Sequence, residues 1–196
     1  NKISEICKKI GANWSQIAPA LRMDKRIGKH AYIKPGLGIA GGNLERDLKS
    51  IIQIANNINV DNSLFNSWNR NLKFMKDWAL NEFNYLSNNK RNLKISILGL
   101  TYKENTNSIK NSAAIKIIKK MKHHSISAYD PAADKGINFK NLIRFKSAIS
   151  AIKGSDALLI MTPWPEFKII TSKQLSKNMK GNIINDPYNI FQGHNL

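Results

Sequence analysis

A glycine-rich stretch near residue 40 holds the residues whose types most clearly suit chemistry. Positions 35–42 contain one proline and four glycines, which predicts a loop. Because glycine has no Cβ, such a loop lets backbone N–H groups approach phosphate or hydroxyl oxygens. Asn43 follows the last glycine at the start of a helical pattern, where asparagine caps a helix well. Asp47 lies four residues further and shares its helix face.

A second candidate site follows the first apolar strand of the chain. Tyr102 and Lys103 come just after a strand predicted at 93–98 and the glycine that ends it. In an open parallel sheet, ligands bind beyond the carboxyl ends of the strands. Corresponding segments follow three later strands at 129–131, 162–167 and 186–189. The strand predicted at 93–98 is not followed by G-x-G-x-x-G, so a tight dinucleotide-binding turn is not predicted there. The rim instead suits a nucleotide that is held partly by charge.

Neither a metal site nor a thiol nucleophile is indicated. The four histidines show no catalytic or metal spacing. Cys7 is the single cysteine and lies on the apolar side of the first predicted helix, where a free cysteine is usually inert packing. With no internal disulfide possible, a reducing, cytoplasmic setting is expected.

The elements that must position these residues change character near residue 90. Before it, apolar residues recur at helical spacing in segments near 3–10, 14–23 and 44–55, and in a long helix over 62–88 that Asp61 or Asn62 can cap. Trp68 and Trp78 of the long helix are expected to be packing residues. After it, short apolar strands alternate with helices, including 112–122 and 169–178, which indicates a doubly wound parallel sheet. The sequence therefore predicts an α/β protein with an N-terminal all-helical domain at 1–90 and a Rossmann-like domain at 91–196.

Composition excludes several classes of protein. The 196 residues are 42% hydrophobic, enough for a core, and no apolar run reaches the roughly 18 residues that cross a membrane. The net charge of +18 suggests polyanionic partners. However, the chain holds 25 Lys, 25 Asn and 28 Ile, a joint enrichment typical of a coding bias toward A+T, and its basic residues are spread throughout. Nucleic-acid binding is therefore not the expected function, although the charge would help to recruit a small anionic substrate.

The motifs together resemble the UDP-glucose/GDP-mannose dehydrogenase family. Residues 36–47 resemble the family loop G-x-G-[FY]-G-G-S-C-x-x-K-D, residues 24–28 its D-x-R-I-G, and residues 99–106 its G-L-[AS]-[FY]-K-x-x-T. Further similar segments lie at 129–131, 156–167 and 186–189, in the family's order and spacing. The resemblance implies oxidation of the C6 alcohol of a nucleotide-diphosphate sugar to a carboxylate with two NAD⁺. It also implies a helical middle that forms a homodimer, here through 62–88, and a C-terminal domain that holds a UDP-sugar.

The resemblance assigns roles to particular residues, with two departures. Asn43 stands where the family has its nucleophilic cysteine, and a carboxamide cannot form the thiohemiacetal of the second oxidation. Tyr188 stands where the family has an arginine at the nucleotide site. Asp47 matches an aspartate that positions water or the catalytic lysine, and Arg26 matches an arginine that reaches the neighbouring subunit's sugar, although an ordinary surface ion pair would also explain it. The remaining substrate-binding positions are Tyr32, Lys34, Gly38, Gly41, Tyr102 and Lys103.

Two functions stay open from the sequence. The first is the central and C-terminal part of an NAD-dependent UDP-sugar 6-dehydrogenase. The family's NAD-binding domain lies upstream of the matching residues, so the chain alone is expected not to transfer hydride. The second is a non-catalytic module that binds a nucleotide sugar and dimerises, which the Asn43 and Tyr188 departures favour.

Overall fold

Four helices form the N-terminal half of the protein. The computed structural model describes residues 1–38, 42–134 and 136–191, so the predicted ligand position Gly41 lies outside the described residues. The helices are α1 (Lys2–Lys9), α2 (Trp14–Met23), α3 (Asn43–Asn57) and α4 (Ser63–Leu86). No helix among the described residues combines the length and apolar character needed to cross a membrane.

Side chains accept backbone N–H groups at the start of two helices, and in α2 the acceptor is the predicted cap. Asn13 Oδ1 accepts the Ser15 backbone N–H at 2.9 Å and begins α2. Of the two residues considered before α4, Asp61 accepts the Ser63 backbone N–H at 3.2 Å. Asn62 occupies the capping position without a hydrogen bond from its side chain to the helix backbone.

The apolar residues of α1 are covered unequally, and Cys7 is buried as predicted. Cys7 is 4% exposed, whereas Ile3, Ile6 and Ile10 are between 56% and 72% exposed. Only the cysteine side of the helix is covered in this chain. Trp68 of α4 is likewise 52% exposed and so is not a core residue, while Trp78 packs against the core as predicted.

A parallel sheet of five strands forms the C-terminal half. The strands are β1 (Lys94–Leu98), β2 (Ser125–Tyr129), β3 (Leu142–Arg144), β4 (Ala157–Ile160) and β5 (Ile183–Asn185). Their order is β3-β2-β1-β4-β5, and every neighbouring pair is parallel. The chain winds outward from β1 in both directions, which confirms the predicted Rossmann-like doubly wound sheet.

The helices of this half are α5 (Ala113–Lys120), α6 (Ala148–Ile152) and α7 (Ser172–Asn178). The helix predicted over 169–178 begins later than expected. Residues Pro165–Ile169 form a separate 3₁₀ turn, and the Thr171 side chain starts α7 in a capping box with Gln174. The α5 helix ends at Lys120, two residues before its predicted end.

The core has two parts, and α4 belongs to one of them. Phe83 and Ala79 of α4 are fully buried with β1, β2, β4 and α5 in the first part, while α6 and α7 contribute to the second. Asn185 Nδ2 at the end of β5 donates to the Ala79 carbonyl at 2.9 Å, and Lys120 Nζ of α5 lies 2.6 Å from Asp77 Oδ1. The C-terminal half of α4 is therefore packed against the sheet and bonded to it.

Candidate site at the carboxyl end of the sheet

The turn after β1 is held by one buried carboxylate, Asp130, at the end of β2. Oδ2 accepts the backbone N–H groups of Leu100 at 2.6 Å and Thr101 at 3.0 Å, and the indole N–H of Trp164 at 3.1 Å. Oδ1 accepts the backbone N–H groups of Ala132 at 2.8 Å and Ala133 at 2.7 Å. Three segments of the rim therefore converge on a single side chain.

These hydrogen bonds keep Asp130 ionised. Burial acts to raise the pKa of this carboxyl, but the backbone N–H donors outweigh burial and hold the pKa below its ordinary value. In a dinucleotide-binding sheet, an acidic residue at this place hydrogen-bonds a ribose hydroxyl. Here the carboxylate is used by the chain's own backbone, in agreement with the missing glycine fingerprint after β1.

The crevice between β1 and β4 is closed at its base by protein atoms. Gly99 has φ +92°, and a Cβ built on it would lie 2.5 Å from the Thr162 backbone nitrogen. The Thr162 hydroxyl donates to the Thr101 carbonyl at 2.6 Å. Because the strand ends touch here, a ligand must lie above this contact rather than between the strands.

Lys103 and Tyr102 stand on the loop above this point. The Tyr102 backbone N–H donates to the Ser108 carbonyl at 3.1 Å and closes the loop on itself. Lys103 is exposed, and its Nζ lies 5.7 Å from the centre of the Tyr102 ring. It forms no ion pair with the described carboxylates. The rim thus presents an uncompensated ammonium group beside an aromatic ring.

The glycine loop between α2 and α3 reaches the same rim. Leu37 is 7% exposed and packs in the core with the sheet. Gly38 has φ +85° and lies against Met75 of α4, where a built Cβ would be 2.8 Å from the Met75 Cβ. At the loop's other end, a Cβ on Gly42 would lie 3.5 Å from Lys110 Cε, on the segment that follows Lys103.

Tyr188, beyond β5, contacts the glycine loop of the N-terminal half. A Cβ on Gly36 would lie 2.9 Å from Tyr188 Cε1, and the Tyr188 hydroxyl donates to the Met161 carbonyl at 3.2 Å. Burial raises the pKa of the Tyr188 phenol, and the charges of Tyr32 and Glu104 act in the same direction. Tyr188 therefore links the glycine loop to the residue that follows β4.

Asn43 and Asp47 lie at the exposed start of α3. Asn43 is the first residue of the helix and Gly42 holds the capping position, so the prediction that the Asn43 side chain caps α3 is wrong. Asp47 Oδ1 lies 2.9 Å from Arg46 Nη2, and both side chains are largely exposed. Glu45 instead faces Lys76 of α4, and hydrogen bonding from Lys76 lowers the pKa of the Glu45 carboxyl.

The other predicted ligand residues lie at the surface. Tyr32 is 92% exposed and Lys34 is also exposed. Arg26 pairs with Asp24 of its own chain, with Nη2 at 2.6 Å from Oδ2, and remains 90% exposed. Lys34 borders a cavity of about 1020 Å³ between the first two helices and the segment after β5, which Tyr188 also lines.

Two carboxylates of this rim were not singled out from the sequence. Asp130 is the first, and Asp186 is the second: it accepts the backbone N–H groups of Tyr188 and Phe191, while burial raises the pKa of its carboxyl. Both directly follow a strand, so the carboxyl-end rule selects their segments, 129–131 and 186–189, without assigning either residue an individual role. No group of three or more His, Cys, Asp or Glu side chains among the described residues could hold a metal ion.

Comparison with known proteins assigns both halves to one family. Residues 1–71 match the central domain of the UDP-glucose/GDP-mannose dehydrogenase family, and residues 96–193 match its UDP binding domain. The chain is 30% identical over 197 residues to the UDP-glucose 6-dehydrogenase of Rickettsia prowazekii (strain Madrid E), with 97% of this chain and 45% of that protein covered. It is 33% identical over 177 residues to UDP-glucose 6-dehydrogenase YwqF of Bacillus subtilis (strain 168), covering 86% and 39%. The chain thus spans less than half the length of these relatives.

Solved structures share the fold. A UDP-glucose dehydrogenase from Pyrobaculum islandicum superposes with a TM-score of 0.83 at 18% identity, covering 96% of this chain and 46% of that one. A UDP-D-ManNAc dehydrogenase from Pyrococcus horikoshii gives a TM-score of 0.77 at 26% identity, covering 98% and 44%. The two family domains match one after the other along the sequence, and the structure has the fold of the family. The chain therefore belongs to the UDP-glucose/GDP-mannose dehydrogenase family.

Proposed function

We propose that the chain is the substrate-holding part of an NAD-dependent UDP-sugar 6-dehydrogenase. The supporting observation is that Tyr188 lies over Gly36 of the glycine loop and donates to the carbonyl of Met161. The next residue, Thr162, donates to the carbonyl of Thr101, which directly precedes Tyr102 and Lys103. Segments 60 or more residues apart therefore border one rim above the strand ends. Lys103 would attract the diphosphate, and Tyr102 offers an aromatic surface beside it.

The site on this chain suits a sugar nucleotide better than a dinucleotide. Asp130, which would have to meet a ribose, is used by backbone N–H groups, and Gly99 is blocked by Thr162. The described rim residues therefore do not fit NAD, and NAD use is proposed from the family alone. No step of hydride transfer is assigned to the described residues.

The residue at position 43 limits the chemistry that this protein can perform. In the family, a cysteine there carries the aldehyde as a thiohemiacetal before the second oxidation; the Asn43 carboxamide is not a nucleophile of that kind. Cys7 is buried in α1 and cannot take its place. We therefore expect the second oxidation to be slow or absent, with Asp47 left to orient water near the sugar.

An exposed apolar surface supports the homodimer that the family resemblance implies. Six side chains of α3, of α4 and of the turn between them are between 43% and 63% exposed: Leu44, Ile51, Ile54, Ile58, Leu64 and Trp68. Apolar side chains gathered on one helical hairpin are typical of an interface.

Titration calorimetry of the chain with UDP tests the binding proposal. We expect measurable binding, weakened about tenfold by Lys103→Gln, since a charge-assisted contact is lost. Lys122→Gln is the matched control, because Lys122 is also exposed but precedes β2 at the amino ends of the strands. Equal affinity in the Lys103 and Lys122 variants would contradict the proposed site.

A non-catalytic nucleotide-sugar-binding and dimerisation module is the second candidate. Asn43 is the observation that favours it, since it replaces the family's nucleophile. The two functions differ in NADH formed per UDP-glucose, assayed with an NAD-binding domain present. No NADH would favour the module, and one or more NADH would favour the enzyme.

A further inference from the structure

Tyr188 is a single side chain that contacts three parts of the molecule. Its ring packs against both parts of the hydrophobic core, one on each face of the sheet. Its hydroxyl donates to the carbonyl of Met161, the residue after β4, at 3.2 Å. The ring also lies over Gly36, so that it links the sheet to the loop between α2 and α3.

The loop meets this ring with its backbone. A Cβ on Gly36 would be 2.9 Å from Tyr188 Cε1, so only glycine permits this approach without movement of the ring. The backbone N–H of the next residue, Leu37, interacts favourably with the ionised phenol and so opposes the rise of its pKa. The Leu37 side chain is buried beneath, which leaves the loop held from both sides.

The Tyr188 segment is itself fixed. Asp186 Oδ1 accepts the Tyr188 backbone N–H at 3.2 Å, and Asp186 Oδ2 accepts the Phe191 backbone N–H at 3.0 Å. The phenol therefore stands on a rigid turn rather than on a free tail. Its hydroxyl is already used by Met161, so the protein's own backbone, and not a ligand, is its partner.

We propose that Tyr188 is a positioning residue that holds the loop at Gly36–Gly38 against the carboxyl end of β4 before any ligand arrives. A loop already ordered pays less conformational entropy when it closes on a ligand, and affinity rises accordingly. The ligand class, a nucleoside diphosphate, rests on the proposed function. The positioning itself does not.

Tyr188→Phe tests the positioning, because it removes only the hydroxyl and keeps the ring. We expect hydrogen exchange at the Leu37 amide to accelerate roughly 3- to 10-fold, because the variant loses the hydrogen bond of the Tyr188 hydroxyl. The exchange is followed by NMR without ligand. Amides of β1 should keep their protection. Tyr85→Phe, at a tyrosine 77% exposed on α4, is the matched control and should change neither.

A merely structural role would give a different result. If Tyr188 only stabilised the fold, Tyr188→Phe would accelerate exchange equally in β1 and in the loop, and that outcome overturns the proposal. So does an unchanged rate at Leu37.

Gly36→Ala provides a second, independent variant. The added methyl must displace the Tyr188 ring, so we expect faster loop exchange and weaker UDP binding by a similar factor. In a Tyr188→Ala background the methyl meets no ring, and Gly36→Ala should then have little further effect; fully additive effects would contradict the contact. Failure of the unaltered chain to bind UDP would defeat the proposed function, while the exchange rates would still decide the role of Tyr188.

Discussion

Replacing Asp130 with asparagine should destabilise the protein in a way that depends on pH. The carboxylate accepts five N–H groups, two of them through Oδ1 and three through Oδ2. An asparagine has one carbonyl oxygen, so it can accept only one of these two sets of N–H groups. Its amide then faces the other donors, as when it is turned toward the backbone N–H groups of Ala132 and Ala133.

The magnitude follows from those two lost contacts. Hydrogen bonds to a charged group contribute about 1.5–3 kcal/mol each, and part of this is recovered by relaxation, so Asp130→Asn should cost about 2–4 kcal/mol at pH 7. For a chain of this length that corresponds to a fall in Tm of roughly 4–16 °C. Asp134→Asn, at an exposed carboxylate nearby, should change stability by less than about 0.5 kcal/mol.

The sign of the pH dependence follows from the lowered pKa of Asp130. A carboxyl whose pKa is lower in the folded state than its ordinary value of 3.8 adds stability above that value and loses it as the pH falls through the folded pKa. The difference in unfolding free energy between the Asp130→Asn variant and the unaltered protein should thus be complete at pH 7 and shrink below about pH 4. Urea unfolding at pH 7, 5 and 3 measures it. A difference that is constant across this range would refute the reasoning.

Three further outcomes can be measured on the same chain. Asn43→Cys places a thiol in the first turn of α3, where the helix dipole favours the thiolate; iodoacetamide should label it several-fold faster than Cys7, which is 4% exposed, and equal labelling by mass spectrometry would argue against an accessible position 43. Gly99→Ala forces a methyl toward the Thr162 backbone at a positive φ and should cost about 3 kcal/mol or more in urea unfolding; a cost under about 1 kcal/mol would contradict the close strand contact. Trp68→Ala should shift sedimentation toward the monomer if the exposed face of α3 and α4 is the dimer interface, and an unchanged species would place the interface elsewhere.

The sheet could be predicted from the sequence because its strands are nearly continuous apolar runs. Ile95, Ile97 and Leu98 of β1 are fully buried, and Leu158 and Leu159 of β4 are as well. A strand buried on both faces leaves few alternatives to a parallel sheet covered by helices. Once the strands are assigned, the carboxyl-end rule indicates from the sequence which segments form the rim.

What could not be predicted depends on contacts between segments far apart in sequence. The apolar spacing of α1 identifies a helix but not whether anything covers Ile3 or Ile6, which are exposed here. Asn43 has the residue type of a cap, but Gly42 occupies that position because the helix begins at Asn43, one residue earlier than the pattern predicts. The use of Asp130 by three separate segments has no local signal at all.

The 24 residues of α4 form one hydrogen-bonded rod, about 36 Å long. Phe83 near one end is buried in the core against the sheet, and Trp68 towards the other end is 52% exposed. A rigid lever of this kind transmits displacement without bending. A partner bound at the outer end of α4 is therefore held at a constant distance and angle from the carboxyl ends of the strands.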